Sequence, residues 1–290
     1  MEIKTTVLVD NLRFPEGPRW RDGKLWCCDF FTQRIVRVDL HGNVETVVEL
    51  PDTPTSLDWT PAGQLLVVSA VARRLLRLEK DGLVEIADLS DLVAYPCNDM
   101  VVDGHGRAYV GNMGFDFGHP DATPTPGTIL LVTPEGSVRV VADGLAFPNG
   151  MVITPDGQTL IVAESHAARL TAFAIEPDGS LVHRRVWAQF EDRGDYGASE
   201  GQITPDGMCL DADGAVWVAS PNTRAVLRIH EGAAITAHIS LATIPLACML
   251  GGSERRSLFI TTTESLDPSD SNAIGRIEII QVDVPGAGRP

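Results

Sequence analysis

Residues 147–164, FPNGMVITPDGQTLIVAE, run through a proline, a polar residue, an apolar run, a turn with glycine and a second apolar run. Apolar runs this short, rich in β-branched residues and punctuated by Pro, Asp and Gly, read as antiparallel strands. The same pattern recurs along the chain. Its other copies are FPEGPRWRDGKLWCCD, TPTSLDWTPAGQLLVVS, YPCNDMVVDGHGRAYVGN, TPDGMCLDADGAVWVAS and IPLACMLGGSERRSLFITT. The six prolines are Pro15, Pro54, Pro96, Pro148, Pro205 and Pro245, at intervals of 39, 42, 52, 57 and 40 residues.

Each copy continues with further strand-length runs, such as RIVRVDL, RLLRLEK, TILLVTP and AVLRIHE, separated by glycine turns. A period near 40 residues matches a four-stranded propeller blade, and one blade buries too little surface to stand alone. The reading is all-β: one six-bladed β-propeller over residues 1–290, with blades starting near 15, 54, 96, 148, 205 and 245 and a metal site in the central channel. A long β-sandwich is the rival, but nothing in a sandwich demands this period. The opening MEIKTTVLVD is expected to complete the last blade beside IGRIEIIQVDV. Two insertions, residues 114–127 and 186–204, are candidate lids, the first expected between the first and second strands of the third repeat.

Composition excludes several roles. The 290 residues are 44% hydrophobic and 21% charged, enough apolar content for a sizeable core. A formal charge of −16 without a basic block argues against binding nucleic acid or anionic membrane surfaces. No signal-like opening or membrane-length apolar run is visible, so a cytoplasmic location is expected. Cys27, Cys28, Cys97, Cys209 and Cys248 show no C-x-x-C spacing and read as buried free thiols. Trp20, Trp26, Trp59 and Trp217 read as packing between blades, and His119 and His166 as surface residues that could lie near the channel mouth.

In a propeller the inner strands line the channel, so one repeat position becomes a ring. The residue after the proline, or after Pro-Cys in the third copy, gives Glu16, Thr55, Asn98, Asn149, Asp206 and Leu246. Four of these carry carboxylate or carboxamide oxygens, a donor set that suits Ca²⁺, Mg²⁺ or Mn²⁺ better than zinc. Taken singly, Asn-Gly and Asp-Gly are ordinary turn dipeptides; taken together at one repeat position they read as metal ligands. The glycines after them, Gly17, Gly150 and Gly207, relieve the backbone beside the axis or admit a ligand. No G-x-S-x-G elbow, P-loop or H-E-x-x-H occurs, which leaves covalent catalysis little support.

The segments FPEGP, NDMVVDGHGRAYVGNMG, FPNGMVITPDGQTLIVAES and PDGMCLDADGAVWVAS resemble, in residues and order, the SMP-30/gluconolactonase/luciferin-regenerating-enzyme (regucalcin-like) family. The resemblance implies a six-bladed propeller holding one divalent cation, calcium first, with magnesium, manganese or zinc as alternatives. It implies a lactone-opening hydrolase, or a phosphotriesterase of the fluorophosphatase kind. By matching motif, Glu16, Asn149 and Asp206 would be metal ligands, Asn98 would sit at or beside the metal and contact substrate, and Asp206 would be the general base. Direct attack by Asp206 is feasible for a phosphotriester. Asp116 is the loosely aligned candidate for a further substrate contact. Sugar-lactone members carry an arginine where this chain has Pro96, so a less hydroxylated lactone or another ester is expected as substrate. The rival functions are a propeller that binds calcium or a small ligand without catalysis, and a metal-free enzyme resembling strictosidine synthase.

Overall fold

The computed structural model describes residues 4–116, 119, 121–190, 201–267, 270 and 272–288. They form six four-stranded antiparallel sheets. Blades 1 to 5 span residues 15–49, 54–88, 97–145, 148–189 and 208–240. Blade 6 takes Ile244–Gly251, Ser257–Thr263 and Gly275–Gln281, and its outer strand is Thr6–Leu12 from the start of the chain, paired antiparallel with Gly275–Gln281. The opening segment therefore closes the ring, as the repeat pattern predicts.

The inner strand of each blade packs against the inner strands of its two neighbours, so blade order around the axis follows chain order. Apolar side chains fill the wedges between blades: Cys28, Ile35, Leu57 and Val67 between blades 1 and 2, and Leu66, Val68, Met100 and Val110 between 2 and 3. Trp20 stacks on Phe259 with centroids 5.2 Å apart, and Trp26 meets Trp59 edge-on at 5.2 Å, which confirms the packing role read for them. All five cysteines are free and buried. Burial pushes the Cys97 thiol up to about 12 and raises Cys27 and Cys28 as well, which makes them poor nucleophiles. No helix among the described residues is long and apolar enough to cross a membrane.

One expected boundary is corrected. Residues 114–127 join the second strand of blade 3, Ala108–Asn112, to the third, Gly127–Val132. Each repeat copy is itself a two-stranded hairpin, turning in blade 3 at residues 103–107, so the insertion follows the second strand and not the first. In the other insertion Val186–Gln189 belongs to the last strand of blade 4, while residues 191–200 lie outside the described residues.

Candidate active site

The repeat position becomes a ring because of a shared irregularity. In blades 1, 2, 3, 4 and 6 the pairing of the inner strand slips at its start, between Glu16 and Arg19, Pro54 and Ser56, Cys97 and Met100, Pro148 and Met151, and Pro245 and Ala247. Such bulges re-aim one side chain out of the sheet. In blade 5 the regular strand begins only at Met208, and Asp206 precedes it, tied by its N–H to Ala219 O at 2.9 Å. Glu16, Thr55, Asn98, Asn149, Asp206 and Leu246 all line one cavity of about 330 Å³.

The expected unusual backbone is found at Gly17, while at Gly150 and Gly207 the reason is close approach. A Cβ on Gly150 would lie 2.5 Å from Asp206 O, and one on Gly207 would lie 2.2 Å from Ala247 Cβ. Neighbouring inner strands approach so closely that no side chain fits between them. Gly17 combines this with a φ of +54°.

Both carboxamides have their orientation settled by their partners. Asn98 Nδ2 donates to Pro148 O at 3.3 Å, an oxygen that can only accept. Asn149 Nδ2 donates to Ser165 Oγ at 3.2 Å, whose own proton goes to Pro205 O at 2.7 Å. These bonds engage the amide nitrogens and leave each amide oxygen able to serve a cation. Burial, reinforced by Asp206 and Asp99, raises the Glu16 carboxyl well above its ordinary range; burial and Asp99 do the same to Asp206. Gly207 N–H and the Asn149 amide partly offset this at Asp206 and orient it.

Below the ring, Asp99 accepts the Ser56 hydroxyl and faces Arg19, whose guanidinium donates to Met100 O at 2.6 Å and comes within 3.5 Å of Asp99. Asp58 accepts N–H groups from Val102 and Trp59, both at 2.8 Å. Arg19 is one cation among the carboxyl groups of Glu16, Asp58, Asp99 and Asp206, so their full ionisation would leave the channel an excess of negative charge. Two carboxylates and two amide oxygens, all oxygen donors, fit a hard divalent cation that would balance it.

The rim comes mostly from links between the second and third strands. Short 3-10 turns at Phe30–Thr32, Ser165–Ala167 and Pro221–Thr223 place Phe30, Phe31, Ser165, His166, Pro221 and Asn222 on the cavity wall. Asp116 and Pro96 also line it, Asp116 exposed at the rim. His166 departs from its surface reading: its ring stacks on Phe115 at 5.4 Å and meets Phe147 edge-on at 5.0 Å, within the cavity wall. His119 is exposed and does not line the cavity.

Residues absent from the repeat-ring reading are those one step earlier, before the proline. Phe14, Thr53, Phe147 and Thr204 line the same cavity as the ring. They stand in the same repeat alignment, so the signal was present one residue upstream.

The SMP-30/gluconolactonase/LRE-like region model matches residues 14–264, from the first ring blade to the sixth. The chain belongs to this family. Among its relatives, regucalcin of Gallus gallus is 22% identical over 87% of this chain and 84% of its own length. A pentonolactonase of Haloferax volcanii is 23% identical over 99% of this chain and 96% of its own. The crystal structure of a calcium-binding regucalcin from Agrobacterium tumefaciens superposes with a TM-score of 0.76 at 20% identity, covering 99% and 98% of the two chains. The SMP-30 fold assignment thus rests on both sequence and architecture.

Proposed function

We propose that this SMP-30 family protein is a divalent-metal-dependent hydrolase that opens a lactone. The observation that carries the reading is the convergence of Glu16, Asn98, Asn149 and Asp206, from four different blades, on the floor of one cavity. The relatedness to a pentonolactonase supports the reaction class, and the calcium-binding regucalcin supports calcium as the cation. Glu16, Asn149 and Asp206 would hold the ion, with Asn98 at or beside it. When bound, the cation polarises the ester carbonyl for attack.

The chain's own groups supply the rest. Asp206 takes the proton of the attacking water, and the Gly207 N–H and the Asn149 amide hold its carboxylate for that role. Water oxygen bonds to the carbonyl carbon, the ring C–O bond breaks, and the leaving alkoxide takes back a proton. Asn98 and the rim residue Asp116 contact the substrate. Direct attack by the Asp206 carboxylate is the corresponding route for a phosphotriester. Five free buried thiols suit a reducing compartment, which supports the cytoplasm as the location.

A lactone panel assayed with and without chelator tests the reading. Chelation should abolish turnover, and Asp206→Asn and Glu16→Gln should each lower kcat about a hundredfold or more. Full activity of either variant with unchanged metal content overturns the mechanism. Cation binding without hydrolysis of any lactone or ester favours the second reading, a non-catalytic calcium-binding propeller, for which the calcium-binding relative speaks.

A further inference from the structure

The cavity above the ring is lined unequally. In a six-bladed ring, blades 1 and 4 face each other across the axis, and so do blades 2 and 5. The residue before the repeat proline is Phe14 in blade 1 and Phe147 in blade 4; it is Thr53 in blade 2 and Thr204 in blade 5. All four line the cavity, whereas the equivalents Tyr95 and Ile244 do not. One diameter therefore carries two phenyl rings and the crossing diameter two hydroxyls.

Both phenylalanines are held in place. Phe14 packs with Phe30 at 5.4 Å and Phe31 at 5.0 Å, while Asp29 accepts its N–H at 3.1 Å. Phe147 adopts a φ of +60°, an uncommon conformation for a bulky residue and more so ahead of a proline. Ser165 N–H to Phe147 O and His166 N–H to Ala146 O, both 3.1 Å, fix that conformation, and strain of this kind persists where the surroundings over-determine it. Among the described residues the lining holds no lysine or arginine, and Asp116 adds negative charge at the rim. That carboxylate disfavours an anionic substituent at the rim.

We propose that Phe14 and Phe147 form the two walls of a slot that selects neutral lactones bearing a flat apolar group, in preference to polyhydroxylated sugar lactones. The proposal rests on the lactonase reading of the same cavity and names its substrate class. A fused aromatic ring would lie between the phenyl faces, with its ester over the oxygen ring below and the threonine hydroxyls beside it. Leu246 on the floor and Pro96 on the wall offer hydroxyl groups no partner.

The test uses the calcium-supplied protein with dihydrocoumarin, a benzo-fused lactone, and glucono-δ-lactone. The expected kcat/KM ratio favours dihydrocoumarin about tenfold or more. In Phe14→Ala and Phe147→Leu that ratio falls about fivefold, through KM more than kcat, as expected for one aromatic contact. Preference for glucono-δ-lactone, or equal losses on both substrates, overturns the slot. Thermal melts identify a variant that has failed to fold, and the other then decides. Binding of dihydroquinolinone, the non-hydrolysable lactam, separates the two readings. If neither lactone is turned over but the lactam binds and either folded variant weakens it about fivefold, the slot stands and the lactonase reading falls. No lactam binding, or binding indifferent to both variants, overturns the slot.

Discussion

At the scale of single residues, the ring depends on atoms that are missing. Gly207 has an ordinary backbone conformation, so conformational freedom does not explain it; the reason is the 2.2 Å and 2.7 Å approach of a Cβ there to Ala247 Cβ and Cα. Backbone at that distance cannot yield as a flexible side chain would. Gly207→Ala is expected to cost about 3 kcal/mol or more and to displace Asp206 beside it. Gly157 is the control: its φ is +73° with nothing within 4 Å, so Gly157→Ala meets only the backbone penalty, about 1 to 2 kcal/mol. Chemical denaturation of both, with metal-dependent turnover measured alongside, checks the difference. Equal losses would mean that close packing of the inner strands is not what the glycine serves.

At the scale of elements, a polar residue ends most second strands and pins the segment leading into the inner strand. Asp29 accepts the N–H groups of Arg13 and Phe14, Asn112 donates to Pro96 O at 3.0 Å, Glu164 accepts Ala146 N–H at 2.8 Å, and Ser220 accepts Thr204 N–H at 3.1 Å. Glu164 is wholly buried; burial alone would raise its carboxyl, but Arg169, Thr171 and the Ala146 N–H outweigh it and hold the group below its ordinary value. The unfolded chain then binds that proton more readily than the folded one. Its stabilisation is complete above about pH 4.3 and is lost as pH falls through the depressed value. Glu164→Gln is expected to cost about 3 to 5 kcal/mol near pH 7 and visibly less near pH 3, read from urea midpoints. These tethers also show what the sequence made legible. The repeat disclosed six blades, their order, the ring position and the closing strand, because strand period and proline spacing are local signals. It left most of the rim obscure, since Phe31 and Asn222 reach the cavity through 3-10 turns whose residues differ from blade to blade. Asp99 carries no repeat signal, and only the fold sets it against Arg19 and Ser56 from other blades.

At the scale of the whole molecule, the proposed cation would tie blades 1, 3, 4 and 5 together through Glu16, Asn98, Asn149 and Asp206, so its binding should be felt as global stability. Glu16 and Asp206 carry raised carboxyls, the opposite of Glu164. Without cation, the folded state binds their protons more readily than the unfolded chain does. Their contribution is therefore present at acid pH, lost as pH rises from about 4 through the raised values, and absent above them. Calcium replaces those protons and should recover the loss at neutral pH, releasing protons as it binds. At a hundredfold excess over Kd the gain is about 2.7 kcal/mol, or roughly 5 °C in Tm for a chain of this size. Melts in chelator and in calcium, taken from pH 5 to pH 8, should show a gap that widens with pH. In Glu16→Gln the chelator curve should rise at neutral pH and the calcium gain should shrink. A gap that stays constant with pH would show that the ion is held by carboxylates elsewhere on the surface, and that the excess charge in the channel is balanced by other means.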